Sequence, residues 1–407
     1  MYFPGLAPAL AAVLIAAALA GPAPAAEIAL RDHCPPGFEL SQQGQCKLRS
    51  LYQMYPSLQD AGVGGLKTGL PSYRDGFTPR QIDLGRYLFF DPVLSGDGTV
   101  SCASCHNPDL GFADGRGRSV GASDRAMSRS APSLWNMAFL QRFFWDARAS
   151  SLEQQVQGPL YDENEMANSP AQLLDTLNAI PLYRELFRQA WPQDFQAADD
   201  LIRLDQIYAA ITAFELSLIS LNSRYDQYAH GYADALTEPE KEGMNIFRSF
   251  VARCAECHTP PLFTNQQVAV IGTPEPEGMA FDSGAELPLG EPTLRGGFKV
   301  PSLRNIALTA PYMHSGRFAT LREAAKFYTE GRGHAVPPGE ELKIHWHIWE
   351  PKLSDEELDR LVDFLRTLTD ESFKPSEPPQ LPSGLSPVHN TNAREGLTHR
   401  DGAPNNE

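Results

Sequence analysis

The sequence contains Cys-Ala-Ser-Cys-His at residues 102–106 and Cys-Ala-Glu-Cys-His at residues 254–258. Two thiols at this spacing can form thioethers with the vinyl groups of one haem, and the adjoining histidine can bind the haem iron. One copy could equally be a reduced redox pair or half of a zinc site. Two copies, each followed directly by histidine, favour two covalently bound c-type haems. The residues involved are Cys102, Cys105, His106, Cys254, Cys257 and His258.

Helix signals dominate the rest of the chain. Thr78-Pro79 is a favourable helix start, with threonine as N-cap and proline in the first turn. Apolar residues at intervals of three and four predict a helix from Leu204 to Tyr228. Strand signals are few and short. With one haem motif in each half, we predict a mainly α fold class with two cytochrome c-like haem lobes, long loops and little β-structure.

The N-terminal region carries an apolar Ala/Leu-rich run at residues 6–20, followed by a small-residue cleavage pattern before Glu27. We interpret it as a signal peptide and expect an exported, periplasmic protein with no membrane span after cleavage. Because the run lacks a basic flank, an uncleaved anchor is the alternative.

The expected units are a signal peptide (1–26), an N-terminal extension (27–77), a first haem lobe (78–235), a second haem lobe (236–374) and a disordered tail (375–407). The tail is predicted from its Pro, Ser, Asn and Gly content and its few large apolar residues. Cys34 and Cys46 are the remaining cysteines, and in an oxidising compartment an even remainder predicts one disulfide. Two free thiols or a small metal clip are the alternatives.

The net charge of −16 makes nucleic acid an unfavourable partner. A partner protein is compatible with this charge.

A haem iron with one protein ligand can react at its sixth position, whereas an iron with two protein ligands mainly transfers electrons. No histidine occurs between His106 and His230, and Met127 is the nearby sulfur candidate. We therefore expect an open sixth position on the first haem.

A family resemblance is carried by Phe144-Trp145-Asp146-Ala147-Arg148-Ala149 and by Leu152, Gln155, Pro159 and Glu165 after it. With the two haem motifs, Leu88-Phe89-Phe90-Asp91 and the segment from Leu303 to Gly316, the chain resembles the bacterial di-haem cytochrome c peroxidase and MauG superfamily. The similarity spans about residues 81–369 and implies an oxidoreductase.

The resemblance implies that Trp145 lies between the haems and relays electrons, and that Gln155, Pro159 and Glu165 form the distal side of the first, peroxide-reactive haem. A carboxylate in a partly apolar pocket can take a proton from one peroxide oxygen and deliver it to the leaving oxygen. Glu165 is therefore the candidate acid and base. Without the resemblance, Glu165 would be interpreted as a solvated loop carboxylate and Trp145 as a core aromatic.

Relatives with a switchable first haem carry an extra histidine in the loop after the first motif, and residues 111–130 contain none. The resemblance thus implies a first haem that needs no reductive activation.

In the peroxidase branch, a methionine ligand for the second, electron-transfer haem follows the Pro-Tyr-x-His segment. The same interval from His314 gives Tyr328, where the MauG-type branch has its axial tyrosine. The alternatives are that Met313 or Met279 binds the iron of the second haem, or that Tyr328 is an ordinary core residue.

Phenolate stabilises ferric and higher oxidation states, whereas a thioether favours ferrous iron. The resemblance also implies a calcium ion bound by the carbonyls of Thr309 and Pro311. An asparagine usually completes this set, but Ser130, a weaker ligand, stands at its position here.

Separately, His345 and His347 would share one face of an extended strand and could bind copper or zinc. Partner docking or an ordinary surface loop are the other interpretations of these histidines.

We therefore expect a peroxide-dependent, MauG-like di-haem oxidoreductase that oxidises Trp or Tyr residues of a partner protein by long-range electron transfer through high-valent haems. The segment of Cys34 and Cys46 is similar to the methanobactin-associated di-haem enzymes, which are thought to oxidise a tryptophan of a companion protein. One alternative is a di-haem cytochrome c peroxidase that reduces hydrogen peroxide with electrons from a small cytochrome or cupredoxin. Another is a non-enzymatic di-haem electron carrier.

Overall fold

The computed structural model describes residues 28–50, 69–197, 199–329, 336–337, 339–349 and 351–388. The predicted signal peptide therefore lies outside the described residues. Within them, no helix combines the length and the apolar character needed to cross a membrane.

Helices and two small sheets make up the regular structure of the described residues, which confirms the mainly α prediction. The helices are α1 (Pro79–Phe90), α2 (Cys102–Cys105), α3 (Leu152–Tyr161), α4 (Pro170–Ala179), α5 (Pro181–Ala190), α6 (Leu204–Leu216), α7 (Arg224–Ala229), α8 (Glu238–Arg248), α9 (Cys254–Cys257), α10 (Glu286–Leu289), α11 (Leu321–Thr329) and α12 (Asp355–Arg366). The strands are β1 (Phe38–Leu40), β2 (Cys46–Leu48), β3 (Val268–Val270) and β4 (Gly297–Lys299). β1 pairs antiparallel with β2, and β3 pairs antiparallel with β4.

Helix α1 begins where the sequence predicts it. The backbone N–H of Gln81 donates to the hydroxyl of Thr78 (3.2 Å), and the N–H of Thr78 donates to the side chain of Gln81 (3.0 Å). α1 packs against α6 with Gly85 at the contact, where a Cβ would lie 1.9 Å from the carbonyl oxygen of Ala210. The backbones of the two long first-lobe helices therefore touch directly.

The second lobe repeats this arrangement. Thr237 and Glu240 form a capping box at the start of α8. A Cβ at Gly243 would lie 1.8 Å from the carbonyl oxygen of Arg360 in α12. Each lobe is thus built on one pair of closely packed helices, and the short helix with the haem motif follows the first helix of that pair.

The predicted helix from Leu204 to Tyr228 is interrupted. α6 ends at Leu216 and α7 begins at Arg224. In the gap, Ser220 exchanges two hydrogen bonds with the side chain of Asn136, each 2.9 Å long. The continuous helix was therefore a wrong prediction, because serine and asparagine offer the backbone partners that compete with helical hydrogen bonds.

The N-terminal extension is attached to the first lobe. Cys34 and Cys46 form a disulfide, and Phe38 and Leu48 are buried in the same apolar cluster as Trp135 and Phe214. The disulfide is therefore part of a small hairpin that covers the first-lobe core.

The predicted disorder of the tail is wrong for residues 375–388, which are described and packed. Leu381 is buried in the first-lobe cluster, and the hydroxyl of Ser383 donates to Asp91 (2.7 Å). These contacts hold this proline-rich segment against the first lobe. Residues 389–407 lie outside the described residues.

Candidate functional site

The first haem motif is a short helix with its histidine directly behind it. Nδ1 of His106 lies 2.8 Å from the carbonyl oxygen of Phe112. With Nδ1–H donating to this carbonyl, Nε2 keeps its lone pair for iron. Burial lowers the pKa of His106, so the imidazole is neutral, as iron binding requires.

In the second motif, backbone carbonyls likewise lie next to Nδ1 of the histidine. Nδ1 of His258 lies 3.1 Å from the carbonyl oxygen of Phe263 and 3.2 Å from that of Pro301. Burial lowers the pKa of His258 to about 4. Phe112 and Phe263 both have left-handed backbone conformations (φ 62° and 55°), which turn their carbonyls toward the histidines. The donor sets of both motifs therefore fit covalent haem, with one imidazole nitrogen free in each.

A cavity of about 270 Å³ lies beside the second motif and takes its walls from both lobes. Cys254, Cys257 and His258 line it, and Tyr328 of α11 lines it as well. Burial and then the nearby thiols of Cys257 and Cys254 raise the pKa of Tyr328 above its usual value. The structure thus brings the predicted phenol ligand to the same cavity as the predicted imidazole ligand.

The alternative sulfur ligands differ in position. Met313 lines this cavity, whereas Met279 is not among its lining residues. Lys299 also lines it, and burial lowers the pKa of this lysine to about 8. Sequence reasoning missed Lys299, since a single lysine in a short strand carries no recognisable signal.

An internal repeat relates the two distal regions. Isolated β-bridges join Phe143 to Ala149 in the first lobe and Tyr312 to Phe318 in the second. α3 and α11 begin at the same interval after these bridges, at Leu152 and Leu321. Continuing along both helices at equal spacing, the first-lobe residue that corresponds to Tyr328 is Pro159.

This correspondence distinguishes the two sites chemically. A tyrosine offers a phenol oxygen to an iron, whereas a proline side chain has no donor atom. The fold therefore repeats, but the position that carries the predicted ligand Tyr328 in the second lobe carries a residue without a donor atom, Pro159, in the first. Sequence reasoning missed the repeat, although Ser133-Leu134-Trp135-Asn136 and Ser302-Leu303-Arg304-Asn305 signal it.

Glu165 lies in the loop after α3, on the side of the first motif. The N–H of Met166 donates to the carbonyl of Pro159 (3.1 Å), so the loop folds back onto the end of α3. Burial, and then the nearby carboxylate of Asp162, raises the pKa of Glu165 to about 7, while Arg148 opposes this rise. The carboxylate also raises the pKa of the Cys105 thiol, although burial is the larger cause of that shift.

Gln155 and Pro159 lie one turn apart on α3 and are both half-buried, so they share one face of the helix. Trp145 lines the cavity beside the second haem motif, and its indole N–H donates to the carbonyl of Ser130 (2.9 Å). The predicted distal residues are thus gathered around the end of α3, while Trp145 lies in the wall shared by the two lobes.

Sequence reasoning also missed Glu215. This carboxyl is buried in α6 and lies close enough to the Cys102 thiol to raise the pKa of that thiol further after burial. Burial, and then the carboxylate of Glu153, raises the pKa of Glu215 to about 8. A single glutamate among the apolar residues of α6 is the signal that could have identified it.

The three residues of the expected calcium set, Ser130, Thr309 and Pro311, line the shared cavity. The hydroxyl of Ser130 donates to the carbonyls of Met313 (3.1 Å) and His314 (3.2 Å). Ser130 therefore links the lobes directly, whatever else it binds.

Comparison with known proteins shows the family of this chain. The family model for di-haem cytochrome c peroxidases (CCP_MauG) matches residues 79–234. The chain is 35% identical over 294 residues to the methylamine utilization protein MauG of Methylorubrum extorquens, covering 72% of this chain and 79% of that protein. It is 33% identical to the cytochrome c551 peroxidase of Nitrosomonas europaea, covering 72% of this chain and 81% of that one.

Solved structures support the same family assignment. A MauG-like protein associated with microbial copper homeostasis superposes with a TM-score of 0.68 at 34% identity, covering 77% of this chain and 97% of that one. The di-haem peroxidase BthA of Burkholderia thailandensis superposes with a TM-score of 0.63 at 25% identity, covering 79% and 99%. The chain therefore belongs to the di-haem cytochrome c peroxidase and MauG family, and it is an oxidoreductase that carries two haem groups.

Proposed function

We propose that this protein is a peroxide-dependent, MauG-like enzyme that removes electrons from Trp or Tyr residues of a partner protein. The observation that carries the proposal is the pair of corresponding positions, Pro159 in the first lobe and Tyr328 in the second. His106 would hold the first haem and His258 with Tyr328 the second; when bound, the first would supply an iron that reacts with peroxide, and the second a redox centre whose oxidised form a phenolate would stabilise.

The protein contributes proton transfer at the first site. With a pKa of about 7, Glu165 is present in both protonation states near neutral pH. Its carboxylate accepts the proton from one peroxide oxygen, and the resulting acid donates this proton to the departing oxygen. Gln155, on the same helix face as Pro159, orients the peroxide by hydrogen bonding.

Trp145 provides the electron relay in this proposal. Its indole is fixed by the hydrogen bond to Ser130, which is itself bonded to backbone groups of the second lobe. An aromatic ring fixed where residues of the two lobes meet is suited to carry an electron between the two proposed redox centres.

A surface beside the second haem motif suits a protein partner. It comprises Phe250, Val251, Trp346 and Trp349, which are 74%, 51%, 62% and 39% exposed. The guanidinium of Arg253 lies 4.0 Å from the ring centre of Phe250 and 4.7 Å from that of Trp349. We call these five residues the aromatic patch. Large exposed aromatics around an arginine are typical of protein interfaces, and a partner with an apolar, acidic face would fit this one.

The test is incubation of the di-haem protein with hydrogen peroxide and a candidate exported protein from its gene neighbourhood, followed by peptide mass spectrometry. The proposal predicts a peroxide-dependent mass change on Trp or Tyr of that protein, absent with Glu165→Gln. Peroxide consumption that requires a reduced small cytochrome, with no change in protein mass, would instead support the scavenging peroxidase. The position of Met313 in the cavity and the similarity to cytochrome c551 peroxidase favour that second candidate.

Two further features belong to the proposal. Thioether-linked haems and the disulfide of Cys34 with Cys46 suit an exported, periplasmic protein. We also propose a calcium ion at Ser130, Thr309 and Pro311. Elemental analysis of the di-haem protein before and after dialysis against a chelator tests this, since one calcium per chain is expected and none would contradict it.

A further inference from the structure

The side chain of Arg129 joins the two lobes by pairing with one carboxylate in each. Its Nη1 donates to Oδ2 of Asp146 in the first lobe (2.7 Å). Its Nε and Nη2 donate to Oδ2 and Oδ1 of Asp282 in the second lobe (2.7 and 2.9 Å). The planar guanidinium is suited to this arrangement, because its fork of N–H groups can pair with one carboxylate at two points. One guanidinium therefore spans the boundary between the lobes.

This bridge lies beside the indole of Trp145. Ser130 follows Arg129 in the chain, and Asp146 follows Trp145. The indole N–H of Trp145 donates to the carbonyl of Ser130 (2.9 Å), and the guanidinium of Arg129 pairs with Asp146. The two dipeptides are therefore held together at two points. One contact fixes the direction of the indole N–H, and the other fixes the backbone from which the indole projects.

On the side of the second lobe, the contacts continue until they return to the first. The N–H of Asp282 donates to Oε1 of Glu275 (3.3 Å), and the same oxygen lies 2.8 Å from Nε2 of His314. The carbonyl of His314 accepts a hydrogen bond from the N–H of Ser130 (2.8 Å). These contacts form a closed ring that leaves the first lobe at Arg129 and returns to it at the next residue.

The bridge is shielded from solvent. The side chains of Arg129 and Asp282 are each 18% exposed, and that of Asp146 is 5% exposed. Burial acts to raise the pKa of Asp282, but the hydrogen bonds from the Arg129 guanidinium outweigh it and hold this pKa below its ordinary value. In buried ion pairs, the cost of removing charges from water offsets much of their attraction. The contribution to be expected from this bridge is therefore a fixed geometry at the lobe boundary more than added stability.

We propose that Arg129 is a positioning residue for electron transfer between the two haems, because it holds Trp145 at the lobe boundary by joining Asp146 to Asp282. This inference rests on the relay role of Trp145 in the proposed function. The rate of electron transfer falls steeply as the gap between donor and acceptor widens, so loss of the bridge slows the transfer without altering either haem. Lysine does not replace this arginine, since a single ammonium lacks the fork that pairs with both carboxylates.

The experiment uses the full ferric di-haem protein without peroxide or partner, so that its outcome is independent of partner oxidation. Pulse radiolysis adds at most one electron per molecule, and haem absorbance follows the redistribution of this electron between the haems. A phase whose rate does not depend on protein concentration measures transfer within one molecule. We expect Arg129→Lys to slow this phase at least about tenfold. Asp282→Ala cuts the bridge from the second lobe, leaves Arg129 paired with Asp146, and should slow the phase to a similar extent.

The matched control is Arg86→Lys, the same substitution at a buried ion pair within α1. Nε of Arg86 donates to Oδ1 of Asp83 (2.7 Å), and both residues are buried in the first lobe. The rate of transfer should be unchanged in this variant. Redox titration of Arg129→Lys, which keeps the positive charge, should give the haem potentials of the unaltered protein, because a positioning role changes distance and not driving force. Haem absorbance verifies that each variant retains both haems.

Transfer at the normal rate in both Arg129→Lys and Asp282→Ala overturns the proposal. An equal slowing in Arg86→Lys also overturns it, as does a slowing that shifted haem potentials account for. Trp145→Phe distinguishes this inference from the relay itself. If that variant slows transfer and the bridge variants do not, Trp145 is the relay and Arg129 does not position it. If all these variants transfer electrons at the normal rate, the relay role of Trp145 fails together with the inference.

Discussion

At the residue scale, Glu165 shows what the sequence could and could not reveal. The family resemblance made it the candidate, although Asp162 and Glu163 are equally acidic and lie in the same loop. Its chemical character comes from burial, which raises its pKa to about 7 while Glu163 is exposed. Burial of one loop carboxylate and not its neighbour depends on how the loop folds back onto α3, which no local pattern specifies.

This pKa gives a prediction about pH. A base with a raised pKa is protonated below it and cannot accept a proton, so the rate of the peroxide reaction should rise through pH 7. Below pH 7 we expect about a tenfold loss per pH unit, and Glu165→Gln should slow the reaction by about 10²–10⁴-fold and abolish this pH dependence. Stopped-flow measurement of haem absorbance after peroxide addition tests this. Glu163→Gln is the matched control and should behave as the unaltered protein; an unchanged pH profile in Glu165→Gln would exclude Glu165.

At the scale of elements, helix starts were predictable and helix continuity was not. Thr78 caps α1 as the sequence predicts, and Thr237 caps α8 in the same way, because capping is a local interaction. The end of α6 depends on Asn136, which is distant in sequence, and the order of residues 375–388 depends on the core site that receives Leu381. Such features arise from tertiary contacts, so periodicity and composition gave the wrong answer for both.

The helix pairs make a prediction about stability. Gly243→Ala would place a methyl group 1.8 Å from the carbonyl oxygen of Arg360, so α8 and α12 would have to separate. We expect a loss of about 1–3 kcal/mol in the free energy of unfolding. Gly69→Ala is the control, since nothing lies within 4 Å of the added Cβ there. Chemical denaturation of the di-haem proteins measures both, and equal stability of the two variants would contradict direct contact between the helix backbones.

At the scale of the whole molecule, two lobes with the same construction carry different residues at the position proposed to bind the second haem iron. The bridges at Phe143 and Tyr312 and the helices after them repeat, while Pro159 and Tyr328 differ. Both haem motifs and the mainly α class could be predicted from the sequence, because the motifs are contiguous and the helix signals are local. The shared cavity could not, because its walls come from segments of both lobes.

The aromatic patch makes a prediction about the partner. Trp346→Ala should weaken partner binding by about 2 kcal/mol, or roughly thirtyfold, and Arg253→Glu should repel an acidic partner. Peroxide turnover with a small-molecule electron donor should stay unchanged in Trp346→Ala, because Trp346 is not among the residues that line the cavity of the second haem motif. Leu287→Ala removes an exposed side chain from α10 and serves as control. If both patch variants oxidise the partner at the normal rate, the partner docks elsewhere.

The central claim concerns the ligand opposite His258, and electron paramagnetic resonance of the ferric di-haem protein tests it most directly. We predict that Tyr328→Phe eliminates or strongly shifts the low-spin signal of the second haem and leaves the signal of the first haem unchanged, whereas Met313→Leu alters neither. A low-spin signal that is the same in Tyr328→Phe and the unaltered protein would show that the phenol is not a ligand and would contradict the account.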